Sequence, residues 1–294
     1  MAKGNKLRLF TDKLFGGLKM SWPAVIIFAV ASAVVTSVFL IVPVFSKTSF
    51  IQMGTTFEAW ILLAVIIIVN CEKALEAALK TFVFFLISQP LIYLFQVPFY
   101  DGGFEIFRYY PYWLIWTLLT FPMALVGWFL RKRNWISLFV LLPVIAALAV
   151  MGTVYAKETA FRFPHHLIAA VFCFGQIWLY LYAFFKDFKK HIAGLAVTAA
   201  AIVLTLLFSA PLYFYVGAAL PDTPALSENA AINFDDSAYT AEQFLSSENY
   251  VSIRGSKFGS SVMTVTDGDE KYEYYVEFKY ADGEDRVEIS KLIR

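Results

Sequence analysis

The sequence predicts an α-helical polytopic membrane bundle of about seven transmembrane helices, followed by a small C-terminal antiparallel β-rich domain on the extracytoplasmic side. Of the 294 residues, 59% are apolar and 16% are charged, whereas a soluble domain is about 45–50% apolar and about 25% charged. Most of the apolar residues lie in long uncharged runs before Val216. The chain from Leu220 onward carries fifteen acidic residues against seven basic ones, and such a split predicts two different environments.

Seven apolar runs approach or reach the length of a spanning helix, which needs roughly 20 residues with a range of about 17–25. These runs lie at 22–45, 55–70, 77–99, 111–130, 135–155, 164–185 and 192–216. The second run is the weakest candidate, because it is short and has Glu58 near its start. Trp22, Trp135 and Tyr155 are among the aromatic residues at the ends of the runs, where membrane proteins form an aromatic belt.

The positions of Lys and Arg predict the orientation of these spans. With the N-terminus in the cytoplasm, the inner segments carry thirteen basic residues and the short outer loops carry four, in agreement with the positive-inside rule. If 55–70 did not span, the basic clusters at 131–133 and 186–190 would move outside and the rule would fail. The chain has no Asn-x-Ser/Thr acceptor, which is more typical of a bacterial cell membrane protein.

The segment 1–21 is basic and is predicted to lie in the cytoplasm. Its residues Leu7, Phe10, Leu14 and Leu18 recur at spacings of three and four, which predicts an amphipathic helix at the inner membrane interface, attracted by anionic lipids. The alternative is a basic tail that only directs topology.

Beyond the last span, the pattern changes to that of a linker at 217–237 and an acidic β-rich domain at 238–294. The turn-rich stretch 221–224 supports the linker, and a capping-box match at 240–243 predicts a short helix over 241–247. Strands are predicted at 250–254, 261–266, 271–280 and 286–292.

The third of these strands has the clearest alternation of side chains. One of its faces is apolar and aromatic, comprising Tyr272, Tyr274, Val276, Phe278 and Tyr280. Asp267-Gly268 and Asp282-Gly283 are turn signals on either side of it. The pattern predicts an antiparallel meander with one apolar face. At about 60 residues its core is marginal, so we expect the membrane surface or a partner to cover that face.

No catalytic residue, cofactor or metal site is predicted. The chain has no Gly-x-Ser-x-Gly elbow and no His-Glu-x-x-His zinc helix, which hydrolases of these classes require. Glu76 and Lys80 are four residues apart and are expected to pair at the inner interface. No ionisable residue is expected near the middle of any span, which argues against a proton-coupled transporter. The acidic charge of the exposed domain argues against a nucleic-acid partner.

A first candidate site is a polar cavity formed by Ser88, Gln89, Pro90 and Gln176. Pro90 leaves a backbone carbonyl without its helical partner, and an unwound turn flanked by polar side chains is able to line a cavity. The alternative is that Gln89 and Gln176 form hydrogen bonds between helices.

A second candidate site is a polar cluster at the outer face, formed by Arg162, His165 and His166. Histidine titrates near neutral pH, so a pH-responsive role is one interpretation of the pair. The alternative is an interfacial position without a ligand.

Two functions are consistent with these features. The first is a non-enzymatic binding, scaffold or sensor-type protein that lies in the lipid bilayer and presents 238–294 to an envelope component or protein partner. The alternative is a small-solute permease or channel component that uses the proline-kinked helices as its path.

Overall fold

The computed structural model describes residues 6–292, which form ten α-helices and seven β-strands. These residues divide into two compact units. The first unit is drawn from Met1–Ala156 and His166–Phe208, and the second from Lys157–His165 and Ser209–Arg294. The helices are α1 Lys6–Leu14, α2 Trp22–Ile41, α3 Pro43–Ser46, α4 Ser49–Thr55, α5 Phe57–Val69, α6 Ala74–Gln96, α7 Tyr110–Gly127, α8 Trp135–Phe161, α9 Leu167–Phe184 and α10 Phe188–Phe208.

A bend interrupts the second predicted span. Helices α4 and α5 meet at an angle of 53°, because Thr56 between them has an extended backbone with φ −116° and ψ −179°. Within residues 6–292, six helices are individually long and apolar enough to cross a membrane, and the bent pair raises this number to seven if it forms one span. The length and composition of these helices identify a multi-pass membrane protein.

The last predicted span, 192–216, is wrong at its C-terminal end. Helix α10 ends at Phe208, and the apolar residues that follow form a strand, β1, at Phe214–Ala219. Pro211 lies between them; it lacks a backbone N–H and disfavours the helical conformation of the residue before it. A membrane helix and a buried strand share the same apolar composition, so hydropathy did not separate them.

Small residues allow close packing between α2 and α6 in the first unit. Ala29 and Ala33 of α2, and Ala77 and Ala78 of α6, are all 0% exposed and belong to one hydrophobic cluster. Small side chains let helix backbones approach closely, which is the usual means of association between helices in lipid. A second cluster joins α8 and α9.

Helix α1 forms within the described part of the predicted segment 1–21. Phe15, just after its end, is 2% exposed and packs against the rings of Tyr180 and Phe184 at 6.0 and 5.3 Å between ring centroids. Leu9 and Phe10 remain 66% and 58% exposed. One side of α1 therefore packs on the bundle, and the other presents the apolar surface expected of an interfacial helix.

The second unit is built on two antiparallel sheets. Three strands form a sheet of order β1-β4-β3, and four form a sheet of order β2-β5-β6-β7. Their bounds are β1 Phe214–Ala219, β2 Ala231–Phe234, β3 Tyr239–Leu245, β4 Tyr250–Gly255, β5 Gly259–Asp267, β6 Glu270–Ala281 and β7 Glu284–Lys291. The four strands predicted at 250–292 are confirmed, with ends that differ by up to two residues.

The predicted short helix at 241–247 is wrong. Residues 239–245 form β3, which pairs with β4 along most of its length. A capping box is a local pattern of four residues, and backbone pairing to a neighbouring strand outweighs it here. The predicted linker 217–237 likewise contains a strand, β2, which pairs with β5.

Side chains of both sheets form one common core. The predicted alternation of β6 is confirmed, since Tyr274, Val276 and Phe278 are 0–1% exposed while Tyr275 between them is 43% exposed. The expectation that the membrane or a partner covers this face is wrong, because the three-stranded sheet supplies the cover. The core comprises Phe214, Leu220, Leu226, Tyr239, Val251, Ile253, Met263, Val265, Tyr274, Val276 and Phe278.

Acid is expected to weaken the second unit through Asp267. Its carboxylate accepts hydrogen bonds from the backbone N–H of Ser227 at 2.8 Å and from the Ser227 hydroxyl at 2.5 Å, and these bonds lower the pKa of Asp267 below its ordinary value. A carboxyl with a depressed folded pKa contributes stability above its unfolded pKa of about 3.9 and loses it as the pH falls through the folded value.

We therefore expect resistance of the second unit to an acid protease to decrease below about pH 4. The Asp267→Asn variant should show a flatter pH dependence between pH 2.5 and 5, with a small loss of resistance at pH 5. An unchanged pH profile in this variant would show that Asp267 does not contribute.

Candidate functional site

Glu58 lies in the interior of the first unit with 0% of its surface exposed. It occupies the first turn of α5, directly after the bend at Thr56. No ion pair found among the described residues includes Glu58. The prediction that no ionisable residue lies near the middle of a span is wrong if α4 and α5 form one span, because Glu58 then lies near the middle of that bent pair. A buried acid in a membrane bundle is costly and usually functional.

Two hydroxyl groups surround the Glu58 carboxyl. The Tyr155 hydroxyl of α8 lies 3.3 Å from Glu58 Oε1. Thr56 Oγ1 lies 3.0 Å from the Tyr155 hydroxyl and is hydrogen bonded to Glu58 Oε2. The same Thr56 Oγ1 lies 2.5 Å from the carbonyl oxygen of Gln52. We call Thr56, Glu58, Tyr155, Gln176 and Tyr180 the Glu58 cluster.

The proton count of these contacts favours a neutral Glu58. Thr56 and Tyr155 each have one hydroxyl proton, so with an ionised carboxylate only two of the four contacts contain a hydrogen. A protonated Glu58 supplies a third proton: Thr56 then donates to Gln52, and Glu58 donates to Thr56. The absence of a cation among these contacts points the same way, since a buried charge requires a partner.

Gln176 and Tyr180 of α9 stabilise the backbone at the bend. Gln176 Nε2 donates to the carbonyl oxygen of Glu58 at 3.0 Å, and the Tyr180 hydroxyl donates to Gln176 Oε1 at 2.9 Å. Trp60 Nε1 donates to the carbonyl oxygen of Gly54 at 3.2 Å. The Gly54 carbonyl lies in the last turn of α4, where a helix leaves carbonyl groups without helical partners. Trp60 thus satisfies a backbone group that the bend exposes, and Gln176 adds a bond from α9 to the first turn of α5.

The structure does not bring together all residues of the predicted polar cavity. Ser88, Gln89 and Pro90 lie in α6, and Gln89 lines a groove of about 300 Å³. Gln176 is not among the residues that line this groove and belongs to the Glu58 cluster instead. Ser88 is 0% exposed and its hydroxyl has no hydrogen-bond partner among the described residues.

The predicted ion pair between Glu76 and Lys80 is confirmed. Lys80 Nζ lies 2.5 Å from Glu76 Oε1 and 2.5 Å from the carbonyl oxygen of Met20. The Lys80 side chain is only 7% exposed, so it is more deeply placed than a solvated helix start. The Glu76 carboxylate also accepts the backbone N–H of Glu72 at 3.1 Å. These contacts satisfy polar groups at the start of α6.

The predicted outer cluster divides between the two units. His166 is in the first unit, where its ring stacks on Tyr155 at 5.7 Å. Arg162 and His165 are in the second unit. The Arg162 guanidinium donates two hydrogen bonds to Asp285, at 2.8 and 2.9 Å, and these bonds raise the pKa of Arg162 above its ordinary value. His165 packs edge-on against Tyr280 at 5.6 Å.

Arg162 fixes the last turn of α8 within the second unit. Besides Asp285, it donates to Glu158 Oε2 at 2.8 Å and to the carbonyl oxygen of Tyr213 at 3.2 Å. The ring of Phe161, the last residue of α8, packs against Phe258 at 5.2 Å. The second unit therefore includes the last turn of a membrane helix as part of its own structure.

Loss of the Asp285 charge is expected to destabilise the second unit. We expect Asp285→Asn to lower its free energy of unfolding by about 1–2 kcal/mol, because a two-point hydrogen bond between charged groups is lost. The measurement is the urea concentration at which a brief protease pulse cleaves half of the second unit in the full chain. The control is Asp282→Asn, because Asp282 is 73% exposed and pairs with an exposed Arg286. Equal effects of the two variants would contradict the prediction.

The sequence contains a sign that Glu58 is unusual, which the count of basic residues in the loops does not consider. Glu58 is the only acidic residue inside any of the seven predicted spans. Its position near the start of the short run 55–70 predicts only the start of a weak helix. Two adjacent threonines, Thr55 and Thr56, precede it, and hydroxyl residues beside a lone acid are the groups that would satisfy it in a bend. Tyr155 had no comparable signal, because its contact spans about a hundred residues of chain.

Within residues 6–292, no group of three or more His, Cys, Asp or Glu residues is arranged to hold a metal ion. Cys71 and Cys173 are both buried and unbridged. Comparisons of the chain with protein-family models, with curated proteins and with solved structures find no match.

Proposed function

We propose that this protein is a sensor-type membrane protein that presents its second unit on the extracytoplasmic side, where the unit binds an envelope component or a protein partner. The N-terminus lies in the cytoplasm in this proposal, in line with the excess of Lys and Arg in the inner loops. Helix α8 carries the response to binding into the membrane bundle.

The continuity of α8 is the observation that carries this proposal. The helix is uninterrupted from Trp135 to Phe161. Its last residue, Phe161, packs against aromatic side chains of the second unit, and Tyr155 contacts the buried Glu58 less than two turns earlier. In this proposal α8 is the segment of chain through which binding at the second unit reaches the Glu58 cluster.

Cysteine labelling in intact cells tests the orientation. Tyr275 of β6 and Lys13 of α1 are both exposed, and both native cysteines are buried, so background labelling should be low. We expect a membrane-impermeant maleimide to label the Tyr275→Cys variant in intact cells. The Lys13→Cys variant should react only after permeabilisation. The reverse pattern would refute the proposed orientation.

Complementation tests whether the second unit carries the function. A chain that ends at Phe208 and the Phe278→Ala variant should both fail to restore the phenotype of a strain that lacks the gene, while each still reaches the membrane fraction. The Tyr275→Ala variant should restore it. Full rescue by the truncated chain would show that the second unit is dispensable and would refute the proposal.

A permease or channel component is the second candidate, and the bend between α4 and α5 favours it. Broken helices at a buried polar site are typical of secondary transporters. On one side of the bend, Thr55 lines the groove that contains Gln89; on the other, Thr56 contacts Glu58. Proton flux into vesicles that contain a pH-sensitive dye tests this function. We expect Glu58→Gln to abolish such flux; no flux with the unmodified protein would count against it.

A further inference from the structure

A groove in the first unit has the chemistry of a lipid-binding site. It has a volume of about 300 Å³, at the lower end of the range of about 300–1,000 Å³ for pockets that hold small organic ligands. Parts of α2, α4, α6 and α7 and the 3₁₀ segment Gly103–Tyr109 enclose it. We call it the Gln89 groove; its lining includes Leu40, Gln89, Tyr93, Ile106, Tyr109 and Trp113.

Gln89 supplies a hydrogen-bond donor that the protein does not use. The residue is 3% exposed, and its Nε2 has no hydrogen-bond partner within residues 6–292. Gln96 lines the same groove about two helical turns later in α6. Its Nε2, however, donates to the carbonyl oxygen of Ile92 at 3.0 Å. A buried donor without a partner is unfavourable, so the Gln89 amide is suited to an acceptor oxygen on a molecule in the groove.

The remaining lining and the rim define the rest of that molecule. Most of the lining is aliphatic or aromatic, which suits a hydrocarbon chain. At the rim, Arg108 donates to the Tyr109 hydroxyl at 2.6 Å, and its guanidinium lies 4.8 Å from the Tyr109 ring centroid. Arg108 thus contacts a residue that lines the groove and keeps donors beyond this bond, and guanidinium groups favour phosphate.

We propose that the Gln89 groove binds one glycerophospholipid from the surrounding membrane. An acyl chain occupies the apolar lining, the Gln89 amide donates to the ester carbonyl, and Arg108 contacts the phosphate. Phe99 and Phe104, each 69% exposed, lie next to or in the segments that line the groove, and their apolar surface suits an adjacent bilayer. This site does not depend on the function proposed for the second unit.

Native mass spectrometry of the delipidated full chain, titrated with phosphatidylglycerol, tests the contact to Gln89. The probe is used in two forms, one with ester-linked chains and one with ether-linked chains that lack the carbonyl. We expect the unmodified protein to bind the ester form about tenfold more tightly, the effect of one hydrogen bond to an otherwise unpaired buried donor. Equal affinity for the two forms would overturn the proposal.

Two variants with the same substitution distinguish Gln89 from its surroundings. Gln89→Leu should bind the ester and ether forms equally, because the donor is gone. Gln243→Leu is the control and should keep the tenfold preference, because Gln243 is exposed on β3 of the second unit and does not line the groove. Loss of preference in both variants would overturn the role of Gln89. Unchanged unfolding temperatures without added lipid confirm that both variants fold.

Diacylglycerol, which has ester carbonyls but no phosphate, tests the role of Arg108. The unmodified protein should bind it about tenfold more weakly than phosphatidylglycerol, and Arg108→Ala should remove that difference. If diacylglycerol binds as tightly as phosphatidylglycerol, the groove takes a neutral amphiphile and the proposed phosphate contact is wrong.

Discussion

Glu58→Ala is expected to lower the stability of the first unit by about 3 kcal/mol. The substitution leaves Thr56 and Tyr155 with hydroxyls that have lost a buried partner, and it opens a cavity beside them. For a unit of this size, about 3 kcal/mol corresponds to a decrease of about 6–12 °C in apparent Tm. The measurement is the fraction of full-length protein that stays monodisperse in detergent after heating.

Two further variants test whether the loss of stability comes from the missing hydrogen bonds of a neutral Glu58. Glu58→Gln should cost less than about 1 kcal/mol, because an amide donates and accepts as a protonated carboxyl does. Glu72→Ala is the control, since Glu72 is exposed and a surface change of this kind stays within about 0.5 kcal/mol. If Glu58→Gln were as damaging as Glu58→Ala, the carboxyl would have to be ionised in the folded protein, against the proton count given above.

Phe278→Ala is expected to cost the second unit about 3–5 kcal/mol. Phe278 is 1% exposed, and its ring stacks on Tyr239 at 4.4 Å and lies 5.2 Å from Phe214. Removing it takes away contacts to both sheets at once and leaves a cavity between them. The loss is comparable with the whole stability of a small domain, about 5–15 kcal/mol.

Protease pulses at increasing urea concentration, applied to the full chain, measure this effect. Tyr275→Ala is the matched control, because Tyr275 lies on the same strand and is 43% exposed on the opposite face. We expect a change of less than about 1 kcal/mol for the control. Similar urea midpoints for the two variants would show that the packing between the sheets does not hold the unit together.

The sequence predicts features that depend on local pattern. The long helices follow from uncharged apolar runs. Strand β6 follows from the alternation of Tyr274, Val276 and Phe278 with neighbours that are charged except for Tyr275. Prediction fails where one composition suits two structures. The apolar residues after Pro211 continued a span by hydropathy but form β1, and the capping box at 240–243 lies in a strand whose partner determines its backbone.

The candidate site illustrates a different limit. The sequence predicts that Gln176 lines a cavity or bonds to another helix, and in the structure its partner is the backbone of Glu58, 118 positions earlier. Tyr155 was assigned only to the aromatic belt, although its hydroxyl contacts the same residue. Contacts of this length have no periodic signature, so only the fold shows that a bend in one helix is completed by two others.

The second unit is formed by two separate segments of the chain, and this limits how many times the helices between them cross the membrane. Lys157–His165 and Ser209–Arg294 form one compact body, so both pieces must reach the same aqueous compartment. The intervening α9 and α10 must therefore cross the bilayer an even number of times in total, as a helical hairpin does. During biosynthesis, Lys157–His165 can join the second unit only after that hairpin has inserted. If one of the two helices failed to cross, Arg162 and Asp285 would lie on opposite sides of the membrane.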